Sequence, residues 1–307
     1  MQVSTFKGFL YGIATSVTFG LIPLFTLPLM KEGMPFDSII VYRFSLATLA
    51  MALMMKLHKE SFRIERSDIP VLMLLALFYT ASSLFLLWGY GYMGAGVATT
   101  IHFTYPVFVT LFMLLFFRER ASWVTWIAIA MAVYGVAKLS LKGGEMTLDP
   151  VGVVVVLLSA VGYASYITAV NKSRVKTMNS RKLAFYVFFF TTLILFTKAM
   201  LTDGLCAIPS AASFANLVLL AVVPTVISNI TLVLAVHHIG GTLTSILGAL
   251  EPVTAVCIGA LLFGESFSLQ EAFGIALILV AVTLIILGKP IQHTLSSVVR
   301  WIRPRHA

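Results

Sequence analysis

The chain has 307 residues, of which 59% are hydrophobic and 11% charged, with a mean hydropathy of +0.99 and a formal net charge of +9. Soluble domains carry about 25% charged residues, so this composition excludes a water-soluble globule. Ten membrane crossings use about 200 residues, which leaves loops and tails and no room for a soluble catalytic domain.

The apolar runs predict ten membrane-spanning helices, at 8–30, 36–57, 69–89, 93–117, 121–140, 151–171, 182–202, 212–236, 240–264 and 268–288. They must be helices, because open strands in lipid leave backbone polar groups unpaired. Lys31, Glu32, Gly33 and Pro35 separate the first two, and the polar run Lys56–Asp68 separates the second from the third. Tight hairpins are expected at Gly89, Gly91 and Gly94 and again at Gly240 and Gly241, since glycine reaches turn conformations that other residues resist. Gly143, Gly144 and Pro150 divide the chain near its middle. The first apolar run is longer than a 7–15-residue signal core and has no small-residue cleavage site after it, so it reads as a retained helix. Arg300, Trp301, Arg303 and Arg305 make the final segment a basic tail at the membrane surface.

The charge is distributed by topology. With the amino terminus inside, the inner segments hold most of the 21 Lys and Arg residues, while the outer ones hold Lys31, Lys138, Lys142 and Lys198. The positive-inside rule then places both termini in the cytoplasm and the chain in a plasma membrane, the inner one in a bacterium. Nucleic acid is not an expected partner; the lipid bilayer is. Cys206 and Cys257 lack the paired spacing of a disulfide or metal cluster, so neither a metal nor a cofactor is expected.

The chain repeats itself. Pro106 and Pro252, Glu119 and Glu265, Ser122 and Ser268, and Gly94 and Gly240 are each 146 positions apart. Met34, Tyr42, Phe44 and Thr48 match Met178, Tyr186, Phe188 and Thr192 at an offset of 144. Each unit holds five crossings, an odd number, so two units in tandem must enter the membrane in opposite directions. Inverted repeats of this kind recur in secondary transporters, with substrate held between the halves near the midplane. The expected fold is therefore an all-α membrane protein of ten transmembrane helices in two inverted five-helix repeats. The units are 1–145 and 146–290, followed by a tail at 291–307.

The Pro-Val and Phe-x-Glu-x-x-Ser pattern closing the fourth span of each unit resembles the EamA repeat of the drug/metabolite transporter superfamily. The resemblance covers about 8–288. It implies a ten-helix carrier that alternates between inward- and outward-open states and exports amino acids, other metabolites or toxic compounds. It leaves monomer and dimer open.

Polar groups deep in a membrane are costly and need a partner, water or a purpose. Glu251 lies about 17 Å into its span at 1.5 Å per residue, near the midplane of a ~30 Å core. A carboxyl group exposed to each side in turn suits proton coupling; alternatively it bonds backbone freed by Pro252. Tyr105, its repeat mate, offers a hydroxyl and an apolar ring to substrate or to packing. His102, one turn earlier, binds substrate, relays protons or is tied to a neighbouring helix. Arg43 is the one basic residue well inside a predicted span. It receives a substrate carboxylate, forms a fixed ion pair or snorkels. Tyr79, Ser82 and Ser83, and Thr225, Ser228 and Asn229, each share one helix face, and Trp88, Tyr163 and Tyr166 supply aromatic surface. The substrate-binding set expected from these is Tyr79, Trp88, His102, Tyr105, Tyr163, Asn229 and Glu251. Glu119 and Glu265, at span ends, are expected to cap or tie neighbouring helices.

Other classes fit less well. Motifs of intramembrane enzymes such as H-E-x-x-H, G-x-S-G or paired intramembrane aspartates are missing from the sequence, as is a Walker A loop. A repeated selectivity-filter segment for a channel is missing as well.

Overall fold

The computed structural model describes residues 2–118, 123–142, 145–146, 148–202 and 204–302, and most of them are helical. Glu119, Ser122, Gly143, Gly144, Arg303 and Arg305 lie outside the described residues. The first crossing is α1 (Gln2–Gly20) and α2 (Ile22–Lys31), broken ahead of Pro23, whose ring and missing N–H interrupt the ladder. α3 (Phe36–Leu57) and α4 (Ile69–Gly89) each cross once. The fourth crossing is split into α5 (Ala95–His102) and α6 (Tyr105–Phe117), and α7 (Trp123–Ser140) completes the first half. A two-residue antiparallel ladder, β1 (Leu141–Lys142) and β2 (Glu145–Met146), precedes the second half.

That half runs α8 (Pro150–Lys172), α9 (Ser180–Leu201) and α10 (Ala211–Ala221), then a π-helical segment Val222–Ile227. It continues through α11 (Ser228–Leu247) and α12 (Leu250–Phe263) to α13 (Leu269–Ile302). Nine apolar segments among the described residues are long enough to span a bilayer. α12 is shorter because Pro252 breaks its crossing at Gly248–Ala249, as Pro106 breaks the fourth at Phe103–Thr104. Ser268 and Glu271 start α13 with a capping box: each backbone N–H donates to the other's side chain, at 2.7 and 3.2 Å.

The hairpin expected at Gly240–Gly241 is not a loop, since the helical backbone of α11 runs on to Leu247. Contacts along α1 still reverse: Thr15 meets Ser228 and Gly8 meets Ile239, whereas Gly12 meets Leu247 and Gly20 meets Thr254. The chain thus turns back between Ile239 and Leu247 while keeping helical hydrogen bonds, which avoids unpaired backbone groups at the membrane.

The two halves are inverted copies, and the residues they share mark the axis. α3 and α9 cross antiparallel, with the Phe44 and Phe188 rings 5.6 Å apart and the Thr48 and Thr192 hydroxyls 3.5 Å apart. Tyr42 donates to the Cys206 carbonyl at 2.9 Å, and its mate Tyr186 donates to the Phe62 carbonyl. Thr15 pins α1 to the Ser228 carbonyl of α11 at 2.7 Å, and Ser159 pins α8 to the Ser82 carbonyl of α4 at 2.6 Å. Each bond is the image of the other. α7 and α13 approach through glycine: a Cβ on Gly135 would lie 2.8 Å from Ile278, and one on Gly274 3.0 Å from Leu139. As residue numbers rise along one helix they fall along the other, so this pair is antiparallel too.

Both ends of the α3–α9 pair are clasped by charge. Lys198 meets Asp37 at 2.6 Å at one end, and Arg181 binds Glu60 at the other. Nearby, Arg174 reaches Glu65 at 2.7 Å and Asp68 at 3.0 Å. The hydrogen bond from Arg181 holds the Glu60 carboxyl below the usual carboxylate range. A depressed value adds stability above the unfolded value of about 4.3 and loses it as pH falls through the lower folded value. Thermal unfolding of the wild type should therefore lose stability in acid more steeply than Arg181→Gln does. Parallel acid profiles would remove this role of the pair.

Candidate functional site

The split crossings bring two helix starts to the centre of the molecule. Tyr105 is the first residue of α6 and Glu251 the second of α12. Pro106 and Pro252 have no N–H, and the Val107 and Glu251 N–H groups donate to the Thr104 and Gly248 carbonyls at 2.9 Å, so what each start presents is the positive end of its half-helix. The half-helix arrangement is one that transporters use at their binding sites.

Around these starts lies a cavity of about 40 Å³, lined by Arg43 (α3), Tyr79, Ser82 and Ser83 (α4), His102 (α5), Tyr163 (α8) and Glu251 (α12). Phe19, Ile22, Leu86 and Leu87 close it with apolar surface. At about 10–15 Å³ of probe volume per water, it holds some three waters. Small-molecule sites usually measure about 300 Å³ or more, so this cavity is far smaller than a typical one.

Glu251 is partly buried, and among the described residues its carboxylate has neither a hydrogen-bond nor an ion-pair partner. The freed backbone near Pro252 does not take it up. Arg43 is 3% exposed, its Nε donates to Thr225 Oγ1 at 2.8 Å, and its guanidinium lies over the Phe44 ring at 5.2 Å. No ion pair joins Arg43 to Glu251 across the cavity. The two charges come from opposite halves and break the repeat symmetry, since the mate of Arg43 is Val187 and that of Glu251 is Tyr105.

His102 is tied to α8 through Ser159, whose Oγ lies 2.8 Å from His102 Nδ1. The single Ser159 proton goes to the Ser82 carbonyl, which assigns the donor role to Nδ1 and leaves Nε2 as acceptor. Tyr105 stands edge-on to Tyr163 at 4.7 Å and lies 5.9 Å from His102, so it backs the cavity wall. Tyr163 stacks on Tyr166 at 6.0 Å, and Tyr166 packs on Tyr79 at 5.1 Å.

Of the other expected residues, Asn229 reaches the cavity wall through a side-chain hydrogen bond with Tyr79, and Trp88 does not line it. Asn229 donates to the Thr225 carbonyl at 2.6 Å and, with Met51, Tyr166 and Arg181, lines a second pocket of about 490 Å³. That pocket is larger, but its lining is mostly apolar, and Arg43 and Glu251 are not part of it. Trp88 is 37% exposed and stacks on Phe36 at 6.2 Å, away from the cavity. Glu265 accepts from the Ala95 and Gly96 N–H groups at 2.7 and 3.3 Å and so caps α5 of the other half. Sequence spacing missed the grip of Thr225 on Arg43 and of Ser159 on His102, since neither distant pairing leaves a local signal. Among the described residues no group of three or more His, Cys, Asp or Glu side chains is placed to hold a metal.

Two inverted five-crossing halves around a small central cavity that holds Arg43 and Glu251 make a polytopic membrane protein with the architecture found in secondary transporters. The chain belongs to the EamA-like transporter family, which matches residues 6–141 and 150–287, one half each. Over 196 residues it is 26% identical to an uncharacterized inner membrane transporter, YedA, of Escherichia coli K12, covering 64% of this chain and 63% of that one. It is 25% identical over 249 residues to the uncharacterized transporter YdfC of Bacillus subtilis, covering 79% of each. It is 28% identical over 202 residues to the uncharacterized transporter sll1319 of Synechocystis, covering 62% of this chain and 58% of that one. The match thus spans less than two thirds of the E. coli and Synechocystis relatives. A crystal structure of another protein shares the fold, with a TM-score of 0.63 at 17% identity, over 92% of this chain and 96% of that one.

Proposed function

We propose that the protein exports small organic metabolites, amino acids or related compounds, by alternating access, with Glu251 carrying a coupling proton. One observation carries this reading: Arg43 and Glu251 face one cavity from opposite halves without pairing. An uncompensated acid and base at membrane depth are expensive unless something binds between them, and a zwitterion supplies both complements. The tyrosines around them suit the organic body of such a substrate, and small drug-like compounds fit the same surface. On this reading the small cavity is one state of the cycle, in which units 1–145 and 146–290 have closed on the site. The larger pocket at Tyr166 and Asn229 is the approach from the cytoplasmic side, given cytoplasmic termini in the inner or plasma membrane.

The test uses the protein in proteoliposomes with a panel of amino acids. A transmembrane pH gradient should drive accumulation of at least one, and collapsing the gradient should stop it. Indifference to the gradient would reject the coupling. In cells, Met178→Cys in a protein with Cys206 and Cys257 replaced by serine should react with an impermeant thiol reagent only from the cytoplasmic side; labelling from outside would reverse the orientation.

A further inference from the structure

The eighth crossing departs from its repeat mate in its middle. Tyr79 occupies regular helix in α4, whereas its mate Thr225 lies in the π-helical segment Val222–Ile227, which contains Pro224. Pi turns inside α-helices are frequent at functional sites. Here the turn sets one hydroxyl: Thr225 Oγ1 donates to the Leu220 carbonyl at 2.9 Å, five residues back. Its one proton is thereby spent, and its lone pair faces Arg43 Nε at 2.8 Å. The Phe44 ring backs the guanidinium plane at 5.2 Å. Nη1 and Nη2 have no hydrogen-bond partner among the described residues, while Arg43 is 3% exposed and lines the central cavity.

We infer that Thr225 and its π turn are a positioning device that holds Arg43 as a fixed two-pronged receptor for a planar carboxylate. With Nε committed and the plane backed, rotation of the guanidinium is removed, and its outer edge presents two parallel donors in the geometry that matches a carboxylate. A lysine has no third nitrogen to anchor and no plane to fix. The inference rests on the reading of the central cavity as the substrate site, and it adds the group recognised and the residue that aims the receptor.

The test is binding and needs neither a gradient nor turnover, so its outcome is separate from that of the transport assay. Protein carrying ¹⁵N-labelled arginine in lipid nanodiscs is titrated with acetate, and with acetamide as the neutral control of the same shape. Wild type should show an Arg43 Nε–H signal protected from solvent exchange, and acetate should shift the Arg43 resonances while acetamide leaves them in place. Thr225→Ser, which keeps the hydroxyl, should behave as wild type. Thr225→Val, which keeps the volume, should lose the exchange protection and bind acetate at least tenfold more weakly. An equal response to acetamide in the wild type would overturn the inference whether or not either variant folds. So would wild-type acetate binding by Thr225→Val, or a Thr225→Ser variant that behaves like Val.

Discussion

Glu251→Gln should reduce proton-driven accumulation in proteoliposomes to the level of protein-free vesicles while leaving exchange of labelled for unlabelled substrate running. The substitution keeps the side chain's size and polarity and removes only its ability to ionise. Because the carboxylate has no partner among the described residues, no ion pair is broken and the fold should be retained. A group that only cements α12 would give the opposite pattern, with lower thermal stability and both transport modes impaired together. Survival of pH-dependent uptake in this variant would eliminate Glu251 as the coupling site. Glu251→Asp, which stays ionisable one methylene further from the cavity, should keep coupling at a lower rate.

Gly135→Val should have the largest effect on stability. The α7 and α13 backbones touch at this point: a Cβ on Gly135 would lie 3.0 Å from the Gly274 carbonyl, and one on Gly274 would lie 2.9 Å from the Gly135 carbonyl. Membrane helices associate through such small-residue contacts, because lipid supplies no hydrophobic drive between them. Inserting even one methyl group into a packed contact costs about 1–3 kcal/mol, and here the obstacle is backbone, which cannot rotate aside. Valine adds two further methyl groups. The expected outcome is a fall of several degrees in unfolding temperature and poor recovery of folded protein. Val133→Leu, on a residue that is 63% exposed on the same helix, is the control and should be near neutral. Equal stability of the two variants would mean that the helices separate freely.

Much of the architecture was legible because it follows from solvent. Long apolar runs have one way to satisfy their backbone in lipid, and the run 36–57 coincides with α3. The repeat was legible through residues such as Tyr42 and Tyr186 or Thr48 and Thr192, and the structure gives the reason they are shared. They lie beside the axis, where a residue meets its own image or an equivalent of its image's partner. Glu251 and Arg43 stood out from the cost of charge at depth, and both line the cavity.

What escaped depends mostly on distant partners. The hydrogen bond between Asn229 and Tyr79 joins the two halves and leaves no signal in local spacing. Trp88 sits at the end of α4, where an amphipathic ring is favoured at the membrane interface. Helical continuity through Gly240 and Gly241 was hidden because glycine permits a turn without requiring one.

Pro106 and Pro252 are paired by the repeat, whereas Pro23, Pro28 and Pro224 face Ile167, Lys172 and Phe78 in the opposite half. A carrier with identical halves would rest equally often open to either compartment, since each pose would be the other turned over. If the carrier alternates as proposed, unmatched prolines that interrupt one helix in each half would make the two poses unequal in energy. Substituting these prolines would then change which compartment the idle carrier faces, and with it the ease of pumping one way, while the residues that grip the cargo stay untouched.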